Sequence, residues 1–214
     1  MIYEAIETGA PIRQGDIFRN IPRVDFSLSQ LAVMETDGEL SESSWRDFID
    51  EPEGETALRA VLPIKPVDAI VVTQDCDCVR SNFLSLCQID TYKDATGKSP
   101  TTPKAWQRQI ISEMTKQPKL FYLPMDETLG RPERCVVDFR MVLPVKRTDL
   151  EGMRDTRSAR LNPVAYEHFR EALAQFFRRY PVNGWYPLTR EELASYAESL
   201  GAPAPPYEWQ QRES

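Results

Sequence analysis

A mainly β fold with added helices is predicted by three features of the chain. Short apolar runs bounded by turn residues recur along it. Ala69-Ile-Val-Val-Thr73 is apolar on consecutive positions, as a strand covered on both faces would be. Only the later segments show the three-to-four-residue apolar spacing of amphipathic helices. At 214 residues with 41% hydrophobic and 28% charged residues, the chain can bury an adequate core.

The first strand is expected after Arg13-Gln-Gly-Asp16, where Gly15-Asp16 supplies turn chemistry and Ile17-Phe18 opens a run to Pro22, with Val24-Asp-Phe-Ser-Leu leading on. Residues 35–56 then turn sharply acidic, with Glu35, Asp37, Glu39, Glu42, Asp47, Asp50, Glu51, Glu53 and Glu55 against the single Arg46. This reads as an inserted acidic loop, or a short helix around Ser44–Ile49, whose plainest role is a solvated surface. Strands are expected over 57–62, 69–73 and 83–90. Thr102-Pro103 opens a helical insertion, 102–117, with Trp106, Ile110, Ile111 and Met114 at helical spacing, closed by Pro118. Strands return at 120–123, 135–139 and 141–145.

Asn162-Pro163 starts the clearest helix, whose Ala165, Phe169, Leu173, Phe176, Phe177 and Tyr180 form one core-facing stripe until Pro181. The sequence therefore divides at 1–181 and 182–214. The second part is a C-terminal helical extension with the capping box Thr189-Arg-Glu-Glu192, an end at Gly201 and a proline-rich tail.

Charge and cysteine usage narrow the function classes. Lys and Arg total 26 against 33 Asp and Glu, a net charge of −7, which argues against a broad nonspecific nucleic-acid surface but leaves room for a local basic groove. Four clustered cysteines are too few for a secreted disulfide framework, and the start of the chain lacks the pattern of a secretory signal. No apolar run is long enough to span a membrane. A cytoplasmic protein is expected.

The segment Ala69–Cys78 carries the chemistry, because its apolar strand runs into Asp75-Cys-Asp-Cys78. If the chain stays extended there, Asp75 and Asp77 share one face and Cys76 and Cys78 the other. Both aspartates equally suit a turn-shaping role. Cys76, Cys78 and Cys87, with the distant Cys135, are the candidate thiolates of a zinc site, although their spacing is not the paired Cys-x2-4-Cys of structural zinc. Cys87 and Cys135 also suit strand interiors as small hydrophobes. Cys76 as a nucleophile would need a base. His168, the only histidine, falls opposite the apolar stripe of its helix and reads as a surface residue.

In order along the chain, Arg13-Gln-Gly-Asp-Ile-Phe18, Ile70-Val-Val-Thr-Gln-Asp75, the strand and basic turn Val136 to Leu150, Arg160-Leu-Asn162 and the Phe169–Phe177 helix resemble the MazF/PemK (Kid-like) toxins. The resemblance covers roughly Arg13 to Tyr180. It implies an SH3-like barrel with an inserted helix and C-terminal helices, a toxin–antitoxin setting, a homodimer, and metal-independent RNA cleavage without a cofactor. The family's catalytic Arg, which precedes a proline before the central strand, has no match: Val67-Asp68 stands in register, with Lys65-Pro66 two residues early.

Cleavage through a ribose 2′-OH needs a base, an acid and a phosphate-stabilising cation. The candidates are Asp75 or Asp77 as base, Arg80 or Lys65 on the phosphate and Thr91 as positioner, with Arg13 and Gln74 on the substrate. The acidic segment is expected to fold over the groove as an RNA mimic. The competing expectation is a non-catalytic module that binds a protein partner on the same barrel.

Overall fold

A computed structural model describes residues 2–7, 9–34, 37–50, 59–93, 102, 104, 119–127, 132–178, 195, 197, 198 and 201. The chain divides into two compact units, Met1–Phe177 and Arg178–Ser214.

The first unit is mainly β, with ten strands among the described residues. They are β1 (Tyr3–Glu4), β2 (Asp16–Val24), β3 (Leu31–Met34), β4 (Leu40–Ser43), β5 (Ala60–Val61), β6 (Ile64–Val71), β7 (Phe83–Thr91), β8 (Leu120–Leu123), β9 (Cys135–Lys146) and β10 (Arg157–Leu161). Four helices accompany them: α1 (Trp45–Asp50), α2 (Asp75–Cys78), α3 (Arg147–Gly152) and α4 (Pro163–Phe177). Seven strands form one antiparallel sheet in the order β1-β10-β2-β6-β7-β9-β8, and β4-β3-β5 form a second. Among the described residues no ladder joins β1 to β8, so the large sheet is not a closed barrel. Its two ends still approach each other, because the Tyr3 hydroxyl donates to the Pro124 carbonyl at 2.8 Å.

Both faces of the large sheet are covered, as the consecutive apolar run predicts. Ala69, Ile70 and Val71 are all fully buried. On one face Ile17, Ile70, Cys87, Ile89, Val137, Phe139 and Leu161 pack with Ala165 and Phe169 of α4. The Phe169 ring centroid lies 5.1 Å from Phe121 and 5.7 Å from Phe139. On the other face Phe18, Ile21, Ala69, Val71, Leu84 and Leu86 pack with Ile12, Cys78 and Leu150. Each fully buried aliphatic or aromatic side chain contributes about 1.5–3 kcal/mol.

Helix α4 starts where the sequence places it. Pro163 occupies the first turn and the Asn162 side chain accepts the Ala165 N–H at 2.9 Å. Phe177, expected in the core stripe, is exposed; Tyr180 lies outside the described residues.

Other elements differ from expectation. The two strands expected at 135–139 and 141–145 are one strand, β9, with an enlarged bulge: Cys87 faces Val142 and Ile89 faces Val137, so Gln88 alone stands against residues 138–141. Asp138 braces that bulge by accepting the Arg140 backbone N–H at 3.0 Å and its Nε–H at 2.9 Å. Strand β6 begins at Ile64, upstream of the expected start, because it pairs with β2 from Val24 to Ile17.

The acidic insertion contains strand β4 and helix α1. Ser44 and Asp47 cap α1 reciprocally, the Ser44 Oγ accepting the Asp47 N–H at 3.2 Å and Asp47 accepting the Ser44 N–H at 3.1 Å. Residues 35, 36 and 51–58 lie outside the described residues. So does the helical insertion expected at 102–117 apart from Thr102 and Lys104. In the second unit only Arg178, Ser195, Ala197, Glu198 and Gly201 are described. Ser195, Ala197 and Glu198 are helical, and Gly201 has φ +63°.

Candidate functional site

The Asp75-Cys-Asp-Cys78 run is not extended. It forms the helical turn α2, and the alternation expected for its side chains is replaced by a three-to-four-residue repeat. The reason lies in residues 14–15, which cross the end of β6. The Gly15 N–H donates to the Val71 carbonyl at 2.9 Å, and the Gln14 side-chain amide donates to the Val72 carbonyl at 2.7 Å. Val72 and Thr73 donate to the same Ser85 carbonyl, so the ladder turns there. Gly15 adopts φ +87°, a backbone conformation that favours glycine, while a Cβ built on it would make ordinary contact with Leu161 and Tyr166 at 3.5 Å.

This crossing fixes Asp75. One carboxylate oxygen accepts the Gln14 backbone N–H at 2.9 Å, and the other accepts the Tyr166 hydroxyl from α4 at 3.1 Å. Burial and the hydrogen bond to Asp75 both raise the Tyr166 pKa, which keeps the phenol a proton donor. The Arg170 guanidinium lies 5.4 Å from the centre of the Tyr166 ring. Tyr166 was not singled out from the sequence. It lies beside the apolar stripe of α4, and its role depends on a partner 91 residues away.

Beneath this site sits a buried ion cluster. Asp16, fully buried, accepts the Arg13 N–H at 3.0 Å, Arg157 Nη1 at 3.0 Å, and Arg160 Nε and Nη2 at 2.5 and 3.0 Å. Arg157 and Arg160 also donate to the Ala10 and Pro11 carbonyls. The hydrogen bond to Asp16 holds the Arg160 pKa above its ordinary value. The cluster ties β10 to the segment that leads into β2.

The candidate residues do not all meet. Gln74, Asp75, Asp77 and Arg80 are exposed at the α2 end of β6, and the Arg13 side chain is exposed on the crossing segment. Thr91 is at the opposite end of β7. It lies five residues beyond Leu86, the partner of Val71, or roughly 17 Å at about 3.4 Å per residue. There its hydroxyl donates to Glu133 at 2.9 Å in a groove of about 380 Å³ with Pro66, Asp68 and Asp90. Antiparallel pairing of β6 and β7 thus removes Thr91 from any site built on Asp75 or Asp77. Lys65, also at that far end, donates to Asp25 at 2.7 Å, and Asp25 is further paired with Arg23.

The proposed thiolates are dispersed as well. Cys76 is exposed, Cys78 is buried on one face of the sheet and Cys87 on the other. Among the described residues no three His, Cys, Asp or Glu side chains are grouped to hold a metal ion. Burial, followed by the nearby Asp75, Asp16 and Asp77 carboxylates and Cys76, pushes the Cys78 thiol up to about 12; burial and then Asp138 push Cys87 up to about 12. His168 is exposed on α4. Of the acidic segment, Asp47 is used on Ser44 and Asp37 on the Glu39 N–H.

The α2 end of the sheet does carry cations. The backbone N–H groups of Arg80 and Ser81 donate to the Asp77 carbonyl at 3.1 and 2.8 Å, the Ser81 carbonyl accepts Arg147 Nε at 3.1 Å, and Lys146 precedes Arg147. The backbone of the turn after α2 is thereby joined to the start of α3. Among the described residues no helix is long and apolar enough to cross a membrane. No protein-family model, curated protein or solved structure matches this chain.

Proposed function

We propose that this protein is an RNA-directed effector, a metal-independent endoribonuclease on an open variant of the SH3-like, MazF/PemK-type barrel, acting in the cytoplasm as a homodimer. The observation that carries the reading is the geometry of Asp75. Its carboxylate is exposed, fixed on one oxygen by the Gln14 N–H and on the other by Tyr166, at the cationic end of the sheet.

In this reading Asp75 accepts the ribose 2′-OH proton as the 2′-oxygen bonds to phosphorus. The P–O5′ bond breaks with Tyr166 giving its proton to the departing 5′-oxygen and regaining one from Asp75, and the exposed guanidinium of Arg80 or Arg13 holds the phosphate as its charge develops. Asp77 is the alternative base on the same turn. Gln74 precedes it on the substrate side. Thr91 and Lys65 have no part in the reaction.

The test is incubation of the protein with a mixed RNA pool in the presence of a chelator, beside Asp75→Ala. Cleavage that falls about 10²- to 10⁴-fold in Asp75→Ala supports the assignment. Equal cleavage by both forms discards Asp75, and cleavage by neither discards the enzyme.

A second reading, a non-catalytic module that binds a protein partner such as an antitoxin, is favoured by the outer face of the small sheet. Met34 and Leu40 face each other across β3 and β4, and Val61 lies opposite Ala32 on the same side; all three larger side chains are exposed. Leu40→Asp would then abolish partner capture while leaving any RNA cleavage intact.

A further inference from the structure

We propose that the groove between the start of β7 and the start of α3 is a single-nucleotide subsite, in which Phe83 stacks on an unpaired base and Lys146 and Arg147 hold its phosphate. The inference rests on the RNA-directed reading and names the part of the surface that would grip the strand. The groove encloses about 300 Å³ and is lined by Asn82, Phe83, Lys146, Arg147 and Thr148.

Phe83 is the first residue of β7 and is 57% exposed, although it is a large aromatic one position from the fully buried Leu84. It stands directly opposite Lys146 in the β7–β9 ladder, so the ring and the ammonium share one side of the sheet. Among the described residues Lys146 makes no ion pair. Arg147 is held in place by its backbone N–H on the Asn82 carbonyl at 2.8 Å, by Nε on the Ser81 carbonyl at 3.1 Å and by Nη1 on Glu151 at 3.1 Å.

An exposed ring flanked by two cations, with an amide and a hydroxyl at its edge, matches the way single strands are held. The flat π-face takes any base, and the cations take the backbone. A duplex, whose bases are already stacked, gains nothing from the ring. The Asp77 carbonyl joins this groove to α2 through Ser81, so a nucleotide bound here leads its neighbour toward the Asp75 turn.

The experiment measures binding of labelled single-stranded RNA, single-stranded DNA of the same sequence, duplex RNA and AMP to the full chain over a range of salt. Phe83→Leu is expected to weaken single-stranded RNA binding roughly five- to 150-fold, with the salt slope unchanged. Lys146→Gln should lower the slope of log K against log salt by about 0.7. Phe83→Trp should retain binding, and its added fluorescence should be quenched by the single strand, which shows the site directly even if the leucine variant folds poorly.

Equal loss on single-stranded DNA assigns the site to unpaired bases generally, and binding of AMP at the same ring assigns it to the nucleotide itself; both support the stacking site. Equal weakening on duplex RNA overturns stacking. RNA binding that is indifferent to Phe83→Leu overturns the subsite and leaves the RNA-directed reading standing, whereas no RNA binding by the wild-type chain overturns both.

Discussion

Asp16→Asn should be the most destabilising conservative change in the sheet. The side chains of Asp16, Arg157 and Arg160 are 0%, 3% and 14% exposed, so the cluster has little water to fall back on. Asparagine keeps the shape but removes the negative charge. It also turns one acceptor into a donor that faces guanidinium N–H groups. Two desolvated cations are then left with the Ala10 and Pro11 carbonyls as their remaining acceptors in the cluster. Breaking a buried pair by removing one partner costs about 3–5 kcal/mol. Against a typical stability of about 5–15 kcal/mol, that is a large share.

The assay is urea unfolding followed by circular dichroism, comparing midpoints at constant m. Asp25→Asn supplies the contrast, since Asp25 is a partly exposed ion-pair partner of Arg23 and Lys65 and should cost far less than Asp16→Asn. Replacing Asp16, Arg157 and Arg160 together by apolar residues should recover much of the loss, because no unpaired charge remains. A loss below about 1 kcal/mol for Asp16→Asn would refute the reasoning, since it requires that the cluster be hydrated and β10 not tied to the start of β2 as described.

The buried thiols predict both reactivity and alkaline behaviour. At pH 8 an alkylating reagent should modify the exposed Cys76 in the folded protein but reach Cys78 and Cys87 only on unfolding, which peptide mapping would resolve. Because both folded-state values are raised from 9.0 to about 12, their contribution is fully present below pH 9 and is lost progressively as pH climbs toward 12. Cys87→Val should flatten that decline in urea titrations between pH 9 and 11. At the head of α4, Asn162→Ala should cost about 1 kcal/mol in thermal or urea unfolding, whereas Asn162→Asp should cost much less.

What the sequence made legible was local. Leu120–Leu123 is a strand at its expected bounds, and α4 begins on the expected cap because Asn162 and Pro163 act within one turn. The strand at Asp16 follows from the glycine turn beside it. Periodicity misread Asp75–Cys78, since an alternating polar run signals a strand only where a neighbouring strand continues the ladder. Here Gln14 and Gly15 cross the end of β6 instead.

The site was half legible for the same reason. Asp75, Asp77 and Arg80 lie close together in sequence and share one end of the sheet. Thr91 follows Asp75 by only 16 residues, but the antiparallel return of β7 carries it to the other end. Tyr166, Phe83 and Lys146 acquire their candidate roles only through pairings that no local pattern encodes.

The strand order β1-β10-β2 has a kinetic consequence. The last strand of the folded unit lies between the first two, pairing Leu161 with Tyr3 and Arg160 with Asp16. During synthesis β2 can meet β6 and β7 early, but one edge of β2 stays open, and β1 has no place to dock, until residue 161 has emerged. That final insertion closes a loop of more than 140 residues and brings Arg157 and Arg160 onto Asp16 in the same step. Until then a buried carboxylate lacks its cations and a strand edge lacks its partner, so the interval before β10 arrives is when the nascent chain is most exposed to edge-to-edge aggregation.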